Sequence, residues 1–451
     1  MSSLWESIAS SGPAAGVFHA RSGSVALQEL AAASILGGNV ESMRGRSVLL
    51  AMHEQLGTAL ALLELDGVAR RVVLCTPDLT PAQLAGVRAS AEADIVLDSV
   101  AQKPAHETLN RRATETTEWV LLTSGTTGVP KLVVHSFDSL AGALPRHSAS
   151  KKPMVWSTFY DIRRYGGLQI YLRAVLSGSP LVLSSAGEPI REFLARAGTA
   201  GVTHISGTPS HWRRALMSGD TALISPEYVR LSGEVADQTV LDNLRAAYPQ
   251  ARIAHAFAST EAGVAFDVDD GLAGFPEELI GDSGRGIAMK VEDGTLWIRS
   301  QRNATRYLGG PPAPIAGDQG YVDTGDLVEL VNGRFYFRGR KGGIINVGGL
   351  KVYPEEVESV LNADPRVRMS LVKARRNPLT GSLVVAEVVL TDSESAADAA
   401  TFDKIKSELL SACRRTLAAH KVPALLRFVP ALELSSAGKL VRPGSLSEHS
   451  A

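Results

Sequence analysis

Short apolar runs and helix-like stretches alternate along the first 260 residues. Between residues 45 and 100, "SVLLAM", "RVVLCTP" and "DIVLDS" are separated by "LGTALALLELDG" and "TPAQLAGVRASAEA". Runs this short, set between longer segments of helical period, predict a parallel sheet covered by helices. Residues 119–122, "WVLL", form another buried-strand run, and the pattern resumes with "GSPLVLSS", "VTHISGTP", "YVRLSGE" and "ARIAHAFAS" near residues 180, 205, 230 and 255. Each of these later runs ends at Gly, Ser or Pro. Several loops therefore fall at strand carboxyl ends, where open α/β sheets bind ligands.

From about residue 280 the texture changes. "KVEDGTLWIRS" and "GYVDTGDLVELVNGRFYFRGR" are alternating strands with Asp-Gly and Asn-Gly turns, the pattern of β-hairpins. After "GRKGG" come a helical segment, "YPEEVESVLNADPRV", a β-ribbon, "SLVKARRNPLTGSLVVAEVVL", and the amphipathic "FDKIKSELLSACRRTLAAH". That last stretch of about a hundred residues has the size and mixture of an independent α+β unit.

Composition narrows the function classes. The 451 residues imply two or three domains, and 45% apolar with 21% charged residues is the balance of a folded protein. A formal net charge of -1 gives no bulk attraction to nucleic acid or to an anionic membrane. Cys75 and Cys413 lie far apart and outside any metal-binding or redox spacing. With no basic-then-apolar leader and no apolar run near 20 residues, the chain reads as cytosolic, with small molecules for partners and neither nucleic acid nor membrane among them.

Residues 123–131, "TSGTTGVPK", follow the "WVLL" strand. A Walker loop is excluded, because Pro130 stands where its second glycine belongs and Leu132 follows the lysine. What remains is a glycine and hydroxyl loop able to wrap phosphate oxygens: Thr123, Ser124, Gly125, Thr126, Thr127 and Gly128, with Lys131 adding charge. Taken alone, the same composition also describes a solvent loop.

Five stretches in order resemble the acyl-adenylate-forming (AMP-binding) superfamily, which holds the acyl- and aryl-CoA synthetases, peptide-synthetase adenylation domains and firefly luciferase. They are "TSGTTGVPK", "FASTEAG" at 257–263, "YVDTGDL" at 321–327, "FRGRKGGIINVGGLKVYPEEVE" at 337–358 and "SSAGKLVRP" at 435–443. The resemblance implies an α/β fold: a large amino-terminal domain, residues 1–341, of αβαβα layers plus a small β-rich subdomain, then a small mobile α+β domain, residues 342–451. It also implies ATP, Mg²⁺ and coenzyme A, or the phosphopantetheine of a separate carrier protein, as cofactors and partners.

Residue by residue, the resemblance implies that Glu261 is the magnesium ligand, with Thr260 beside it as a catalytic residue. The alternative for Glu261 is a helix cap after Ser259 and Thr260. Asp326 would accept the ribose hydroxyls and Arg340 reach the ribose and phosphate region, with Arg338 a solvated neighbour. Phe257 would stack on adenine; here Phe-Ala replaces the usual Tyr-Gly, and the methyl of Ala258 narrows the acid pocket. Gly233, Glu234, Ser259 and Thr260 complete the implied nucleotide contacts. Lys439 would bridge acid and α-phosphate in the first half-reaction and be withdrawn for the second, by rotation about Gly342. Gly348 and Gly349 would let a pantetheine arm pass, with a plain turn as the alternative.

The acid is the least legible part. "STFYDIRRYGGLQ" supplies Tyr160, Asp161, Arg163, Arg164, Tyr165 and Gly166, and Gly207 lies nearby in the implied pocket. Aromatic rings beside a guanidinium suit a flat or hydroxylated acid. Asp161, or an aspartate near residue 237, would instead receive the ammonium of an amino acid. The expected activity is formation of an acyl adenylate with release of pyrophosphate, then transfer to a thiol. The alternatives are loading of a separate carrier protein and, in another class, a non-catalytic nucleotide-binding sensor.

Overall fold

The structure is a computed structural model and describes residues 3–6, 16–37, 39–101, 105–106, 113–123, 130–142, 144, 153–284, 286–310, 314–377, 381–391, 399–433 and 439–440. Two sheets frame the large lobe. In the first the strand order is Gly263–Val268, Arg252–Ser259, Tyr228–Ser232, His204–Gly207, Trp156–Thr158, Leu181–Leu183, Val17–Ala20 and Gly23–Ala26. Its inner neighbours pair in parallel and both edges are antiparallel. The second runs Arg306–Leu308, Lys131–His135, Glu118–Thr123, Arg71–Leu74, Ser47–Leu50 and Ile95–Leu97.

Apolar residues on both faces of the parallel strands dictate the layering. Val48, Leu50, Trp119 and Leu121 of one sheet share a core with Phe18, Leu181 and Leu183 of the other, through helices Gln55–Leu65 and Tyr165–Leu176. The first of these helices is buried nearly all round, which is why "LGTALALLEL" carries no polar face. Outward, Leu49, Val73 and Val120 pack on Val87 of helix Pro81–Ser90. On the far side, Val182, Ile205 and Val229 pack on Phe193, Trp212 and Leu244 of helices Ile190–Thr199, Pro209–Met217 and Gln238–Ala247. The result is the expected helix–sheet–helix–sheet–helix stack.

The hairpin pattern after residue 280 forms a six-stranded antiparallel sheet in which Val322–Val331 pairs with Arg334–Arg340. A short 3-10 turn, Lys341–Gly343, then leads to the small lobe. There the hairpin Ile345–Val347/Leu350–Val352, helices Pro354–Asn362 and Ala399–Thr416, and the strands Val367–Asn377, Gly381–Leu390 and Leu425–Phe428 enclose their own core, including Val357, Val372, Leu409 and Cys413. Cys75 and Cys413 are buried free thiols in different cores. Among the described residues no helix is long and apolar enough to cross a membrane.

Asp66, which ends helix Gln55–Leu65, ties the middle layer to the strand feeding the glycine loop. Its carboxylate accepts from the Leu4 N–H at 2.7 Å and from the Trp119 indole N–H at 3.0 Å. Burial raises its pKa from 3.8 to about 6, against the lowering by those two donors. A folded pKa above the unfolded one gives stability that is full below 3.8 and lost as pH rises through about 6. Asp66→Asn removes that dependence. In urea titrations at about pH 4 and about pH 7.5, the stability difference is expected to move in the variant's favour by up to about 3 kcal/mol at the higher pH. A difference independent of pH would refute the assignment.

Candidate active site

The carboxyl ends of the central strands, and the loops that follow them, carry most of the sequence-derived residues. Ser124, Gly125, Thr126, Thr127 and Gly128 lie outside the described residues. Their flanks are placed: Thr123 ends its strand, Lys131 begins the antiparallel neighbour, and the two are paired. Two other clefts, of about 440 and 370 Å³, open at the opposite, amino-terminal edges of the sheets and are lined by other residues.

Lys131 holds its ammonium 5.6 Å from the centre of the Tyr307 ring, and the Tyr307 hydroxyl reaches Glu261 Oε1 at 3.5 Å. Glu261 is in the turn between antiparallel strands Arg252–Ser259 and Gly263–Val268, so a helix-capping role is excluded. Its backbone is fixed from three sides. The Ala304 N–H donates to the Glu261 carbonyl at 2.8 Å, and the Ala262 N–H donates to Ser259 Oγ at 3.0 Å. The third tie is His135, fully buried, whose Nε2–H donates to the Thr260 carbonyl at 2.7 Å. Burial pushes the His135 pKa down to about 4, so the ring is neutral at neutral pH. Among the described residues no three His, Cys, Asp or Glu side chains converge on a common point. A lone carboxylate fits a Mg²⁺ ion that takes its other oxygens from phosphate and water.

Asp326 and Arg340 stand opposite each other on paired strands, with Arg340 Nε 2.9 Å from Asp326 Oδ1. That carboxylate raises the Arg340 pKa. Arg338 pairs with Glu329 at 2.6 Å on the same sheet. Phe257 is stacked on Phe337, ring centres 5.3 Å apart and nearly parallel, and on Phe266 at 6.0 Å.

Beyond the small lobe, the chain meets this site at Lys439 and Leu440. Lys439 is an exposed residue by surface area, yet protein surrounds its ammonium on enough sides that burial lowers its pKa. Glu234 and Asp326 act against that lowering, while Arg340 and Arg164 add to it. Gly233, with φ +87°, lies under the lysine stem: a Cβ there would sit 3.2 Å from Lys439 Cε. Glu234 accepts from the Ser210 N–H at 2.9 Å and from the Leu440 N–H at 3.1 Å.

The acid pocket departs from expectation at Asp161. Its carboxylate is bound by Arg163, with Nε 2.7 Å from Oδ1. Arg163 is only 1% exposed and donates its other nitrogen to the Met52 carbonyl. Neither charge is available to a substrate, because a guanidinium removed from water holds the one carboxylate beside it. Arg164 is turned to Asp78 at 3.2 Å. Asp237 caps helix Gln238–Ala247 and pairs with Arg213, so it too is committed. The wall that remains is aromatic. The buried Tyr160 gives its hydroxyl proton to the Ser232 carbonyl at 2.6 Å, and its ring faces Gly166. A Cβ at Gly207 would meet Phe159 and His211. His211 stacks on Phe159 and meets Tyr160 edge-on, its pKa driven to about 3 by burial. Tyr165 is buried behind them, its ring 5.6 Å from His135.

Gly342 lies in the turn that joins the lobes. Gly348 and Gly349, at φ +58° and +86°, are the two-residue loop of the small lobe's hairpin. Two positive φ values in such a loop require glycine-like residues on conformational grounds. Among the described residues, chain neighbours aside, nothing lies within 4 Å of a Cβ built at either position. His135, Tyr307 and His211 escaped the sequence reading, although the histidine closing the apolar run "KLVVH" was a visible irregularity.

A family model described as AMP-binding enzyme matches residues 101–308, and one described as AMP-binding enzyme C-terminal domain matches residues 356–439. A 2-succinylbenzoate–CoA ligase of Salmonella typhimurium is 28% identical over 269 residues, 56% of this chain and 53% of its own. One from Listeria monocytogenes is 27% identical over 347 residues, 73% and 70% of the two chains. The matched region thus spans from about half to seven-tenths of these relatives. Among solved structures, an anthranilate CoA ligase in complex with anthranoyl-AMP gives a TM-score of 0.79 at 15% identity, over 97% of this chain and 95% of that one. A benzoate CoA ligase from Burkholderia xenovorans gives 0.78 at 17% identity, over 98% and 99%. These share the fold.

The Asp161–Arg163 pair has a measurable consequence. Arg163→Ala is expected to lower the unfolding free energy by about 3–5 kcal/mol, since it strands a partly buried carboxylate. In a double-mutant cycle in urea, Asp161→Ala with Arg163→Ala should lose clearly less than the two single losses added. Additive losses would mean that the charges do not act as a pair.

Proposed function

The chain belongs to the AMP-binding enzyme family, and on that footing we propose that it activates a carboxylic acid with ATP and passes the acyl group to the thiol of coenzyme A, an aromatic acid being favoured. The observation that carries this reading is the position of Lys439. A residue near the chain end, on the small lobe, lies over Gly233 and beside Glu234, among the same charges as Asp326 and Arg340.

In the first half-reaction a carboxylate oxygen attacks the α-phosphorus, and the bond to pyrophosphate breaks as pyrophosphate leaves with its charge. Lys439 is the cation that lies between acid and α-phosphate and takes up charge as it develops. Lys131 and the loop of residues 124–129 receive the outer phosphates. Glu261 would hold Mg²⁺, whose chemistry there is neutralisation of phosphate charge. Asp326 accepts from the ribose hydroxyls, and Arg340 holds that carboxylate in place. Phe257 offers its ring to adenine, with Ala258, Ser259 and Thr260 lining the same strand end.

The small lobe then turns about Gly342 and withdraws Lys439. Gly348 and Gly349 come to the cleft with the pantetheine arm. The thiol sulfur forms a bond to the acyl carbon, the carbon–oxygen bond to AMP breaks, and the thiol proton passes to water. Tyr160, Phe159, Gly166, Gly207 and a neutral His211 make a flat, uncharged wall, which suits an aryl acid better than an amino acid whose ammonium needs a carboxylate. The matched relatives, ligases for 2-succinylbenzoate, agree with that choice.

Pyrophosphate exchange with benzoate, 2-succinylbenzoate, amino acids and short aliphatic acids tests the reading. Exchange is expected with an aromatic acid, followed by CoA ester formation. Exchange without CoA turnover would move the acceptor to a carrier protein, and no exchange at all would leave a nucleotide-binding protein. Lys439→Ala is expected to cut exchange by about 100-fold or more while thioester formation from preformed adenylate continues. Equal loss of both half-reactions would refute the two-state mechanism.

A further inference from the structure

We propose that Glu234 is the latch of the adenylating state: it positions Lys439 by gripping the backbone of the next residue, and does not serve as a nucleotide ligand. The proposal rests on the ligase reading above for its kinetic consequences, though not for its geometry.

One carboxylate joins the two lobes. Oε2 accepts from the Ser210 N–H at 2.9 Å, an amide in the first turn of helix Pro209–Met217. First-turn amides have no partner within their helix and present positive potential, so a carboxylate there is held firmly. Oε1 accepts from the Leu440 N–H at 3.1 Å, across 206 positions of sequence. Because Leu440 directly follows Lys439, fixing that amide fixes the origin of the lysine side chain. The stem then runs over Gly233, where a Cβ would lie 3.2 Å from Lys439 Cε and would crowd its path. The charge of Glu234 also favours the ammonium form in this crowded position, ahead of that of Asp326.

The same helix carries an opposing contact. Arg214 is brought near Arg368 of the small lobe, and after burial that like charge is what lowers its pKa. Docking of the small lobe is thus favoured at the helix's first turn and opposed further along it. Release surrenders the Leu440 amide to water while Glu234 keeps the Ser210 amide.

Glu234→Ala and Glu234→Gln test this with three readouts on the full chain. With benzoate as the acid, the exchange kcat of Glu234→Ala is expected to fall about 10- to 100-fold with KM for ATP within about 2-fold. Glu234→Gln, which retains one acceptor, should fall between it and the wild type. Thioester formation from synthetic benzoyl adenylate and CoA should be unchanged or faster. Limited trypsin digestion, followed by mass spectrometry at the Lys439–Leu440 bond, should show faster cleavage in Glu234→Ala. A rise in KM for ATP with unchanged cleavage would make Glu234 a nucleotide ligand and overturn the proposal. Equal loss of both half-reactions with a lowered Tm would overturn it as well, leaving only a structural role. If the wild type exchanges with no acid, the ligase reading fails, and the digestion arm still decides the latch.

Discussion

On the proposed ligase reading a carboxylate must be brought against a triphosphate, a meeting of anions, and the charges at this site suit that repulsion. Two unit charges 4 Å apart interact by about 1 kcal/mol in water but about 4 kcal/mol near a protein surface. Excluding water therefore sharpens the problem unless cations come with the substrates. The protein divides them between two bodies. Lys131 and Arg340 stand on the large lobe beside Tyr307 and Asp326, and Lys439, which follows the small lobe in sequence, lies over Gly233. A cation placed permanently between acid and phosphate would also occupy the approach of the thiol. Mobility of one charge resolves the conflict.

The fixed charges are held from behind by neutral groups. Glu261 is in a hairpin turn whose carbonyls are taken by the Ala304 amide and by the His135 ring. Burial keeps that imidazole uncharged at neutral pH, so it donates without placing a competing cation beside the candidate metal ligand. His211 follows the same rule on the acid side, where a neutral ring stacks on Phe159. Both histidines supply shape and hydrogen bonding. The catalytic charges remain those of lysine, arginine and carboxylate.

Much of this was legible in the sequence, for definable reasons. Parallel strands buried on both faces read as unbroken apolar runs, so "SVLL", "RVVL" and "WVLL" became neighbours as expected. Glycine and turn chemistry fixed the hairpins after residue 280, and Arg340 lies within electrostatic reach of Glu261, Asp326 and Lys439. What misled was chemistry decided by distant partners. Asp161 reads as a free carboxylate in "FYDIRRY", and nothing local shows that Arg163 turns inward to the Met52 carbonyl and keeps it. Nor does local sequence show that the oxygens of Glu234 hold two amides, one of them 206 residues away. His135 looks like the polar end of a strand until the Thr260 carbonyl is brought beside it.

The same contacts set how tightly the two lobes can dock. If the proposed cycle holds, both arrangements are needed and neither can dominate: a preference of about 1.4 kcal/mol already leaves the other at roughly a tenth, and about 5.5 kcal/mol carries a pair from 1:99 to 99:1. A hydrogen bond to a charged group contributes about 1.5–3 kcal/mol. Here one such bond, from the Leu440 amide to Glu234, is opposed by desolvation of the Lys439 ammonium and by the approach of Arg214 to Arg368. Those contributions act in opposite directions on docking. On the proposed reading, loss of this bond would leave the lysine without a fixed origin. On that reading, a carboxylate shared between a helix terminus and the Leu440 amide is a contact that can be made and given up in each cycle.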